Sequence, residues 1–596
     1  MKVLSKEKIY SFLEILIGIL VIFQAVKKGG FYISDMDHIF FIVLIITIAY
    51  VVLKITDKSL KINIGAVFLM LLFIAYMLPV IFKKYADFYS AVWEALKYLE
   101  LFCIYLIVSN SNNKKRFEVF LIITGVVIGI FGIDQISSRY LATILKGFNS
   151  GYLSTYLERL SSTIQYANTA GLILMISFFI SKTRLLNNID KLQKDYNMPN
   201  ITKARYLFYA SSFLLLCTIL TQSRGIIFLT ILGSLIITFF ERKNTNFVIF
   251  VIIDIVILMS AIIASSIIDK FIYSEFIYIY LITILFIILL NILFTILLTK
   301  VIMNVKLWYK LENRKKGISI KGAATIFSIC AVYLLLAFNI SGTVNLKKES
   351  KDLTFSKQIN ITEKENMQNI QISVVDKVEN SKYEIELLEI LNDNTEKLLA
   401  RFNEFGAKDG IFSKSFMLDT NAKRLILKCK ISEGNIEINK VLYNGKNIKL
   451  NYYLLPTSII ERITDETFTS TSTIVRIEYI KDSFKILKTS PIIGRGGEAF
   501  RYLYKEVQTG SYISTEAHSS FIQILIESGI LGEISIISFC IFVIINGKNN
   551  FKKIVFIIFV FHSIFDLNFS YMISIMIFGI ISGIMYENNS KGIEKN

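Results

Sequence analysis

Repeated apolar runs of about 18 or more residues are the feature of this sequence that most limits its fold. A run of that length is what a helix needs to cross the hydrocarbon core of a membrane. Lipid offers no partner for backbone N–H and C=O groups, so such runs must be helical. The chain has 596 residues, of which 54% are hydrophobic, and its mean hydropathy is +0.55. The sequence therefore predicts an all-α polytopic membrane protein with about 12–14 transmembrane helices and not a series of soluble domains.

The sequence contains fourteen candidate spans. The pair within 205–240 and the last two spans are separated only by short polar turns. The candidates are 9–26, 38–53, 62–82, 88–109, 117–135, 164–181, 205–222, 225–240, 246–268, 276–299, 322–340, 521–546, 552–566 and 570–586.

The distribution of basic residues between the spans predicts the orientation. With a cytoplasmic N-terminus, the inner segments hold 29 Lys and Arg, whereas the short outer loops hold nine. Cytoplasmic loops carry the excess of positive charge, so we expect both termini inside and a large extracellular loop, in the plasma membrane. The net charge of +18 then reflects orientation and contact with anionic membrane lipid, and nucleic acid is not an expected partner.

A long stretch without spans begins at residue 341, and its first part has the alternation of β-strands. "NIQISVVDKV", "YEIELLEI", "KRLILKCKIS" and "NIEINKVLYNGKNIKLNYYL" alternate apolar with polar residues, and "YNGKN" carries a hairpin turn signal. After Pro456 the spacing becomes helical, with Ile474, Ile477, Ile480 and Phe484 on one face of an amphipathic stretch expected to lie along the membrane surface. Four regions are therefore predicted: N-terminal transmembrane helices at 1–340, an extracytoplasmic β-rich insertion at 341–455, an extracytoplasmic helical loop at 456–520 and C-terminal transmembrane helices at 521–596.

Several chemically capable residues fall on the predicted outer side. His518, one of only three histidines, precedes the span at 521, and Arg476 and Arg495 come shortly before it. Arg159 and Arg224 lie in other outer segments. Converging guanidinium groups would bind a phosphate or pyrophosphate, and a nearby histidine can take a proton from a hydroxyl. Arg224 could equally contact lipid phosphates. The glycines of "PIIGRGGEAF" suit either a turn whose N–H groups approach a ligand or a plain tight corner.

Three further polar residues, Glu94, Asp134 and Asn168, fall near the outer ends of spans and are expected to line the same cleft. His562 also lies near an outer boundary, where a histidine is more typically bonded to backbone or water. Asp566 follows it by one helical turn and could fix its tautomer.

These blocks resemble the signature of the O-antigen ligase/polymerase superfamily. "RIEYIKDSFKILKTSPIIGRGGEAFRYLYKEVQTGSYISTEAHSSFIQILIESGILG" is similar to the family's arginine-led helix, its P-x-x-G-x-G turn and its H-N-x-x-L-Q-x-x-x-E-x-G-x-x-G helix entry, with Ser519 at the asparagine position. "RLSSTIQYANTAG" and "LTQSRG" resemble two further family blocks. "FHSIFDLNFS" resembles a stretch in Gram-positive members.

The resemblance implies a membrane glycosyltransferase, a surface-polysaccharide polymerase or ligase. Such an enzyme moves a glycan from an undecaprenyl-diphosphate carrier to an acceptor glycan or wall component on the outer face. Arg159 and Arg224 match arginines that hold the diphosphate, Arg476 and Arg495 lie in the matching loop, and His518 matches the histidine that activates or orients the acceptor. The chemistry implied is metal-independent and uses no cofactor, and direct displacement would invert the anomeric carbon. The five scattered cysteines carry no metal-ligand spacing.

Two other classes of function remain open from the sequence. A lipid-linked glycan flippase or transporter would also need many helices and outer cations, but transporters usually contain repeated halves and broken helices. The chain has no visible internal repeat and only four prolines. A non-catalytic membrane scaffold would not require the arginines and His518 on one side. Polymerase and ligase share donor chemistry, so the sequence does not separate them.

Overall fold

The structure is a computed structural model of the whole chain. It describes residues 6–586 except for 138, 148–158, 195–196, 241–246, 272–276, 303–331, 455–470, 510–513 and several gaps of one to five residues between 333 and 453. The eleventh predicted span, 322–340, lies mostly outside the described residues.

Sixteen α-helices are described, which we number in chain order. They are α1 Lys6–Val26, α2 Asp37–Thr56, α3 Ile64–Ile81, α4 Phe88–Ser109, α5 Lys114–Ile136, α6 Ala142–Gly147, α7 Ala167–Lys194, α8 Met198–Leu220, α9 Arg224–Phe240, α10 Phe247–Phe271, α11 Ile277–Ile296, α12 Thr471–Leu487, α13 Ala499–Val507, α14 Ser520–Asn546, α15 Asn550–Ile564 and α16 Met572–Met585.

Nine helices in the described part of the chain are long and apolar enough to cross a membrane, namely α1, α2, α3, α5, α7, α8, α10, α11 and α14. The helices α9 and α16 are apolar but shorter. The protein is therefore a multi-pass membrane protein in which most of the predicted spans coincide with helices.

Helix α4 has the length predicted for its span but carries Glu94, Lys97 and Glu100. The helix tolerates these charges because the three side chains are buried in the interior of the bundle, where α4 packs between α3 and α16. The ammonium of Lys97 lies 2.6 Å from a carboxylate oxygen of Glu94, so this buried charge is paired.

The β region predicted in the second half of the chain is present. Eleven described strands run from Ser341 to Tyr452: β1 Ser341–Gly342, β2 Val344–Lys347, β3 Leu353–Ile359, β4 Gln368–Asp376, β5 Lys382–Leu391, β6 Glu396–Phe405, β7 Asp409–Phe416, β8 Ala422–Glu433, β9 Asn435–Tyr443, β10 Lys446–Ile448 and β11 Asn451–Tyr452. All described pairs are antiparallel. One sheet has the order β10-β9-β4-β7 with β2 also on β9, a second has the order β3-β8-β5-β6, and β1 pairs with β11.

The buried residues of the two larger sheets form one hydrophobic cluster, which includes Ile370 and Val441 from one sheet and Ile385 and Leu427 from the other. This is the layered arrangement that a β-sandwich requires. The Asn-Gly turn signal is also confirmed. Asn444 and Gly445 both have positive φ, 48° and 75°, and they join β9 to β10 in a two-residue hairpin.

Helix α12 confirms the predicted helical stretch, but the face that packs on the protein is not the predicted apolar face. Ile477 and Phe484 are 49% and 45% exposed, while Tyr479 and Ile486 are buried against α13 and α14. The exposed apolar face is compatible with a helix that lies against lipid.

A tight corner, formed by the glycine turn at residues 491–496 and a break in α14 at Gly529, fixes the position of α14. Gly529 interrupts the helix with φ 69°, which frees carbonyl and N–H groups on both sides of the break. The turn at 491–496 binds them: Arg495 N donates to Ile526 O at 2.9 Å, Gly496 N donates to Glu527 O at 2.9 Å, and Ile530 N donates to Pro491 O at 3.0 Å. A Cβ on Gly494 would lie 2.3 Å from Glu527 O, and one on Gly529 would lie 2.2 Å from Ile492 O. Both positions therefore require glycine.

Candidate functional site

Asp566, in the turn after α15, is the centre of a polar cluster that joins four segments of the chain. Its carboxylate accepts hydrogen bonds from the Tyr166 hydroxyl at 2.8 Å and the Asn168 amide at 2.7 Å. The guanidinium of Arg476 lies 3.5 Å away and donates to the neighbouring Phe565 carbonyl at 2.9 Å. The Asp566 side chain is only 3% exposed, so it supplies a buried negative charge next to a half-buried arginine.

Arg159 joins this cluster through Asn168. Its Nη2 donates to Asn168 Oδ1 at 3.2 Å, and its Nε donates to the Thr221 carbonyl at 3.0 Å. Thr221 belongs to the short turn that ends at Arg224, the first and exposed residue of α9. The structure thus links Arg476 directly and Arg159 through Asn168 to Asp566, and it places Arg224 at the end of the turn that Arg159 contacts.

His518 lies beside the same cluster. The Ser520 hydroxyl, two residues later, donates to the Asp566 carbonyl at 2.8 Å, and this bond fixes the start of α14 against the turn. The imidazole stacks on Tyr479 of α12, with ring centroids 5.5 Å apart and an angle of 14°. Its Nδ1 is buried, and no described residue hydrogen-bonds to it. The φ of His518 is 53°, in the left-handed region that few residues other than glycine adopt.

The electrostatics around His518 favour its neutral form. The pKa of His518 is lowered from 6.5 to about 4, mainly by burial and also by the positive charge of Arg476, while Asp566 acts in the opposite direction. At neutral pH the imidazole is therefore uncharged and retains a lone pair that can accept a proton.

Position 519 carries serine where the family motif has asparagine, and the structure shows why serine is suitable there. It is the N-cap of α14, and its hydroxyl accepts a hydrogen bond from Ile522 N at 3.4 Å. Serine and asparagine are both favoured N-caps, so the substitution keeps this structural role.

Arg495 does not join the cluster. Its backbone N–H pairs with Ile526, its carbonyl accepts from Ala86 N at 2.8 Å, and no described residue hydrogen-bonds to its side-chain Nε. The glycine turn therefore serves as the tight corner. The N–H groups of Arg495 and Gly496, which the sequence left available for a ligand, bond to the carbonyls that the break in α14 exposes.

A small polar pocket lies next to the His518 segment. Its wall includes Glu94 and Lys97 of α4, Glu516 of the segment before α14, and Gln523 and Glu527 of α14, together with Glu498 at the start of α13. Glu527 is firmly held, because it accepts hydrogen bonds from Tyr76, Gln523 and the backbone of Glu498 at 3.0, 2.7 and 2.7 Å. Of these residues, only Glu94 was considered from the sequence as a cleft residue.

The other two histidines have ordinary surroundings. His562 is buried, and its Nδ1 bonds to the Asn568 side chain at 2.9 Å, whereas Asp566, which sequence spacing offered as its partner, binds Tyr166 and Asn168. His38 is 80% exposed beside Asp37. Within the described residues, no group of three or more His, Cys, Asp or Glu side chains is arranged to hold a metal ion.

Comparison with known proteins locates the family resemblance. Residues 451–537 match a family model described as O-antigen ligase, and this range contains Arg476, Arg495 and His518. No curated protein and no solved structure matches the chain. The match at residues 451–537 confirms that this protein resembles the O-antigen ligase/polymerase superfamily, as its motifs predicted.

Proposed function

We propose that the protein is a membrane glycosyltransferase of the ligase or polymerase type. It transfers a glycan from an undecaprenyl-diphosphate carrier to a hydroxyl of an acceptor glycan or wall component, on the outer face of the membrane. The observation that supports this proposal is the convergence of Arg159, Arg476 and His518 around Asp566, with two of the four inside the matched family segment.

The chemistry follows from the charges in this cluster. The acceptor oxygen forms a bond to the anomeric carbon while the bond from that carbon to the diphosphate oxygen breaks, and the diphosphate leaves with the electron pair. Arg159 and Arg476, with Arg224 at the entrance, stabilise the negative charge on the leaving group. The proton of the acceptor hydroxyl passes to His518. Direct displacement of this kind inverts the configuration of the anomeric carbon and does not require a metal ion.

Binding of the donor would improve His518 as a base. Arg476 lowers the pKa of His518 in the empty site. A diphosphate bound at Arg476 brings opposite charge, which raises the pKa toward the operating range where general bases are most effective. Asp566 meanwhile holds Arg476 in place before the donor arrives and leaves its guanidinium one-third exposed for the ligand.

Reconstitution tests the proposed reaction. The purified protein in lipid nanodiscs is mixed with a fluorescent glycan on undecaprenyl diphosphate and an acceptor glycan. Transfer of the fluorescence to a larger, lipid-free or elongated product supports the proposal. In sealed vesicles, movement of the intact lipid-linked glycan from the inner to the outer leaflet, without any transfer product, would instead indicate the flippase alternative.

The orientation needs its own test, because the site must face outward. We propose that the β region and the α3–α4 turn are extracellular. Cysteine introduced by Lys446→Cys or Lys84→Cys should react with an impermeant maleimide on intact cells, and Lys191→Cys should react only after lysis. Each of the three lysines is exposed. The four described native cysteines are buried, and Cys330 is replaced by serine in all variants. Labelling of Lys191→Cys alone on intact cells would reverse the orientation.

A further inference from the structure

Gln135, in the last turn of α5, has a fully buried side chain that binds the loop containing Arg159. Its Oε1 accepts hydrogen bonds from Ser161 N at 2.8 Å and from Ser162 N at 2.6 Å. Its Nε2 donates to the Arg159 carbonyl at 3.3 Å and to the Ser161 hydroxyl at 3.0 Å. A glutamine amide has two donor hydrogens and two acceptor lone pairs, so these four bonds use its full capacity. Gln135 therefore holds the backbone on both sides of residue 160.

The same loop is also attached to the end of α8. Leu160 N donates to the Leu220 carbonyl at 3.0 Å, and Arg159 Nε donates to the Thr221 carbonyl at 3.0 Å. The loop thus lies between the ends of α5 and α8. The contacts from α8 are backbone carbonyls, which no substitution removes, whereas the contact from α5 is a side chain that can be changed.

Ser162 shows that the loop backbone is held in a conformation that it does not prefer. Its φ is 56°, in the left-handed region that is unfavourable for a residue with a Cβ. Such a conformation persists only where the surrounding contacts determine it. Two contacts do so here, since Ser162 N donates to Gln135 and the Ser162 hydroxyl donates to the Ile128 carbonyl at 2.7 Å. Without the amide of Gln135, we expect the backbone at 159–162 to relax and to carry Arg159 away from its position.

The position of this backbone matters because Arg159 reaches the Asp566 cluster through one intermediate side chain. Its Nη2 donates to Asn168 Oδ1 at 3.2 Å, and the Asn168 amide donates to Asp566 at 2.7 Å. A separation beyond roughly 3.5 Å no longer counts as a hydrogen bond, so a loop displaced by about 1 Å would lose the contact with Asn168.

We propose that Gln135 is a positioning residue for binding of the donor diphosphate, which holds the loop at 159–162 so that the Arg159 guanidinium stays beside the Asp566 cluster. Its hydrogen-bonding capacity is already used, so Gln135 acts through Arg159 and not by contact with the substrate. The inference rests on the proposed function for the nature of the ligand, whereas the hold of Gln135 on Arg159 can be measured without any substrate.

Two substitutions of Gln135 and one matched control test this role. Gln135→Met removes the amide but keeps an unbranched side chain of similar length. Gln135→Glu keeps both acceptor oxygens and loses the two donors, and it decides the same comparisons if Gln135→Met does not insert into the membrane. The control is Gln24→Met: Gln24 is also fully buried near the end of a helix and donates to a loop carbonyl, that of Asp35, at 3.2 Å. Its loop carries none of the described residues of the Asp566 cluster.

The first measurement follows Arg159 in the full-length protein in nanodiscs. Phenylglyoxal modifies accessible guanidinium groups, and mass spectrometry gives the rate at Arg159, with Arg401 of the β region as internal reference. Gln135→Met should raise the rate at Arg159 several-fold, Gln135→Glu should raise it less, and Gln24→Met should leave it unchanged. An unchanged rate in both Gln135 variants, or an equal rise in Gln24→Met, would overturn the proposal.

The second measurement asks whether Gln135 acts through Arg159. Binding of the fluorescent glycan on undecaprenyl diphosphate is compared in Gln135→Met, Arg159→Ala and the double variant. Each single variant should weaken binding by roughly tenfold or more, because a hydrogen bond to a charged group is lost in both. The double variant should bind no more weakly than Arg159→Ala, since no guanidinium is left to position. Losses that multiply in the double variant would mean independent effects, such as a general loss of stability, and would contradict a positioning role.

Together the two measurements separate this inference from the proposed function. Faster modification of Arg159 in Gln135→Met, in a protein that does not bind the carrier lipid, would keep the hold of Gln135 on Arg159 and reject the diphosphate site. Carrier binding that depends on Arg159 but not on Gln135 would keep the proposed function and reject the positioning role.

Discussion

Two polar clusters lie beside residues 516–520, and their compositions differ. On the cationic side, Arg476 contacts a single buried carboxylate, Asp566, and Arg159 reaches the same carboxylate through Asn168. On the carboxylate side, four glutamates line a small pocket whose lysine, Lys97, is already paired with Glu94. Under the proposed function, the cationic side suits an anionic leaving group, whereas the carboxylate side offers such a group no unpaired cation.

The largest effect is expected where the two sides meet. His518→Ala should lower turnover by about 10²–10⁴-fold, the usual cost of a lost general base, while carrier-lipid binding stays close to that of the unchanged protein. His38→Ala, which removes an exposed histidine, is the control. Product formation at the original rate in His518→Ala would show that the histidine only packs on Tyr479 and takes no part in proton transfer.

The next effect isolates the cationic side. Arg476→Ala should weaken binding of the carrier lipid by roughly 10–150-fold, since a hydrogen bond to a charged group contributes about 1.5–3 kcal/mol. Arg476→Lys should restore part of it, because an ammonium keeps the charge but not the planar fork. Lys481→Ala, an exposed cation on the same helix, is the matched control. Carrier binding in Arg476→Ala equal to that of the unchanged protein would show that the diphosphate does not bind at this cluster.

The smallest effect is expected for Arg495. Arg495→Ala should change carrier binding less than about twofold, because its backbone, which holds the corner at α14, is unaltered by the substitution and its side chain lies outside the Asp566 cluster. A loss comparable with that of Arg476→Ala would show that the diphosphate also extends to this corner, as the sequence motif had suggested.

The fold was predictable where one local signal determines it. Hydrophobic run length predicted most helices, and alternation predicted β4, β5, β8 and β9. The strands β3, β6 and β7 were not foreseen, because polar and charged residues interrupt their alternation. Their strand conformation depends on pairing with β8, β5 and β4, respectively. For α12 the periodicity was right, but the buried face depended on Tyr479 and Ile486 finding partners on α13 and α14, which spacing alone does not reveal.

The site was predictable only in part. His518, Arg159 and Arg476 could be proposed from motif and side of the membrane. Asp566 was overlooked as a centre because its partners, Tyr166 and Asn168, are about 400 positions away in the sequence. The sequence signal at Asp566 was its spacing from His562, which pointed to a different partner. Of the residues that line the glutamate pocket, Glu94 was expected in the cleft because it lies near the outer end of its span. Glu498, Glu516 and Glu527 gave no such signal, because only the packing of α4 inside the bundle brings them together with Glu94.

The corner at Gly494 and Gly529 has a genetic consequence. A side chain added at either glycine would meet backbone atoms of the partner motif, and every residue has those atoms. A second substitution elsewhere could not make room by shortening a side chain, as it can in a hydrophobic core. Selection for suppressors of Gly494→Ala or Gly529→Ala should therefore return mostly true revertants. Although more than thirty residues separate them in the sequence, we expect the two glycines to be retained together.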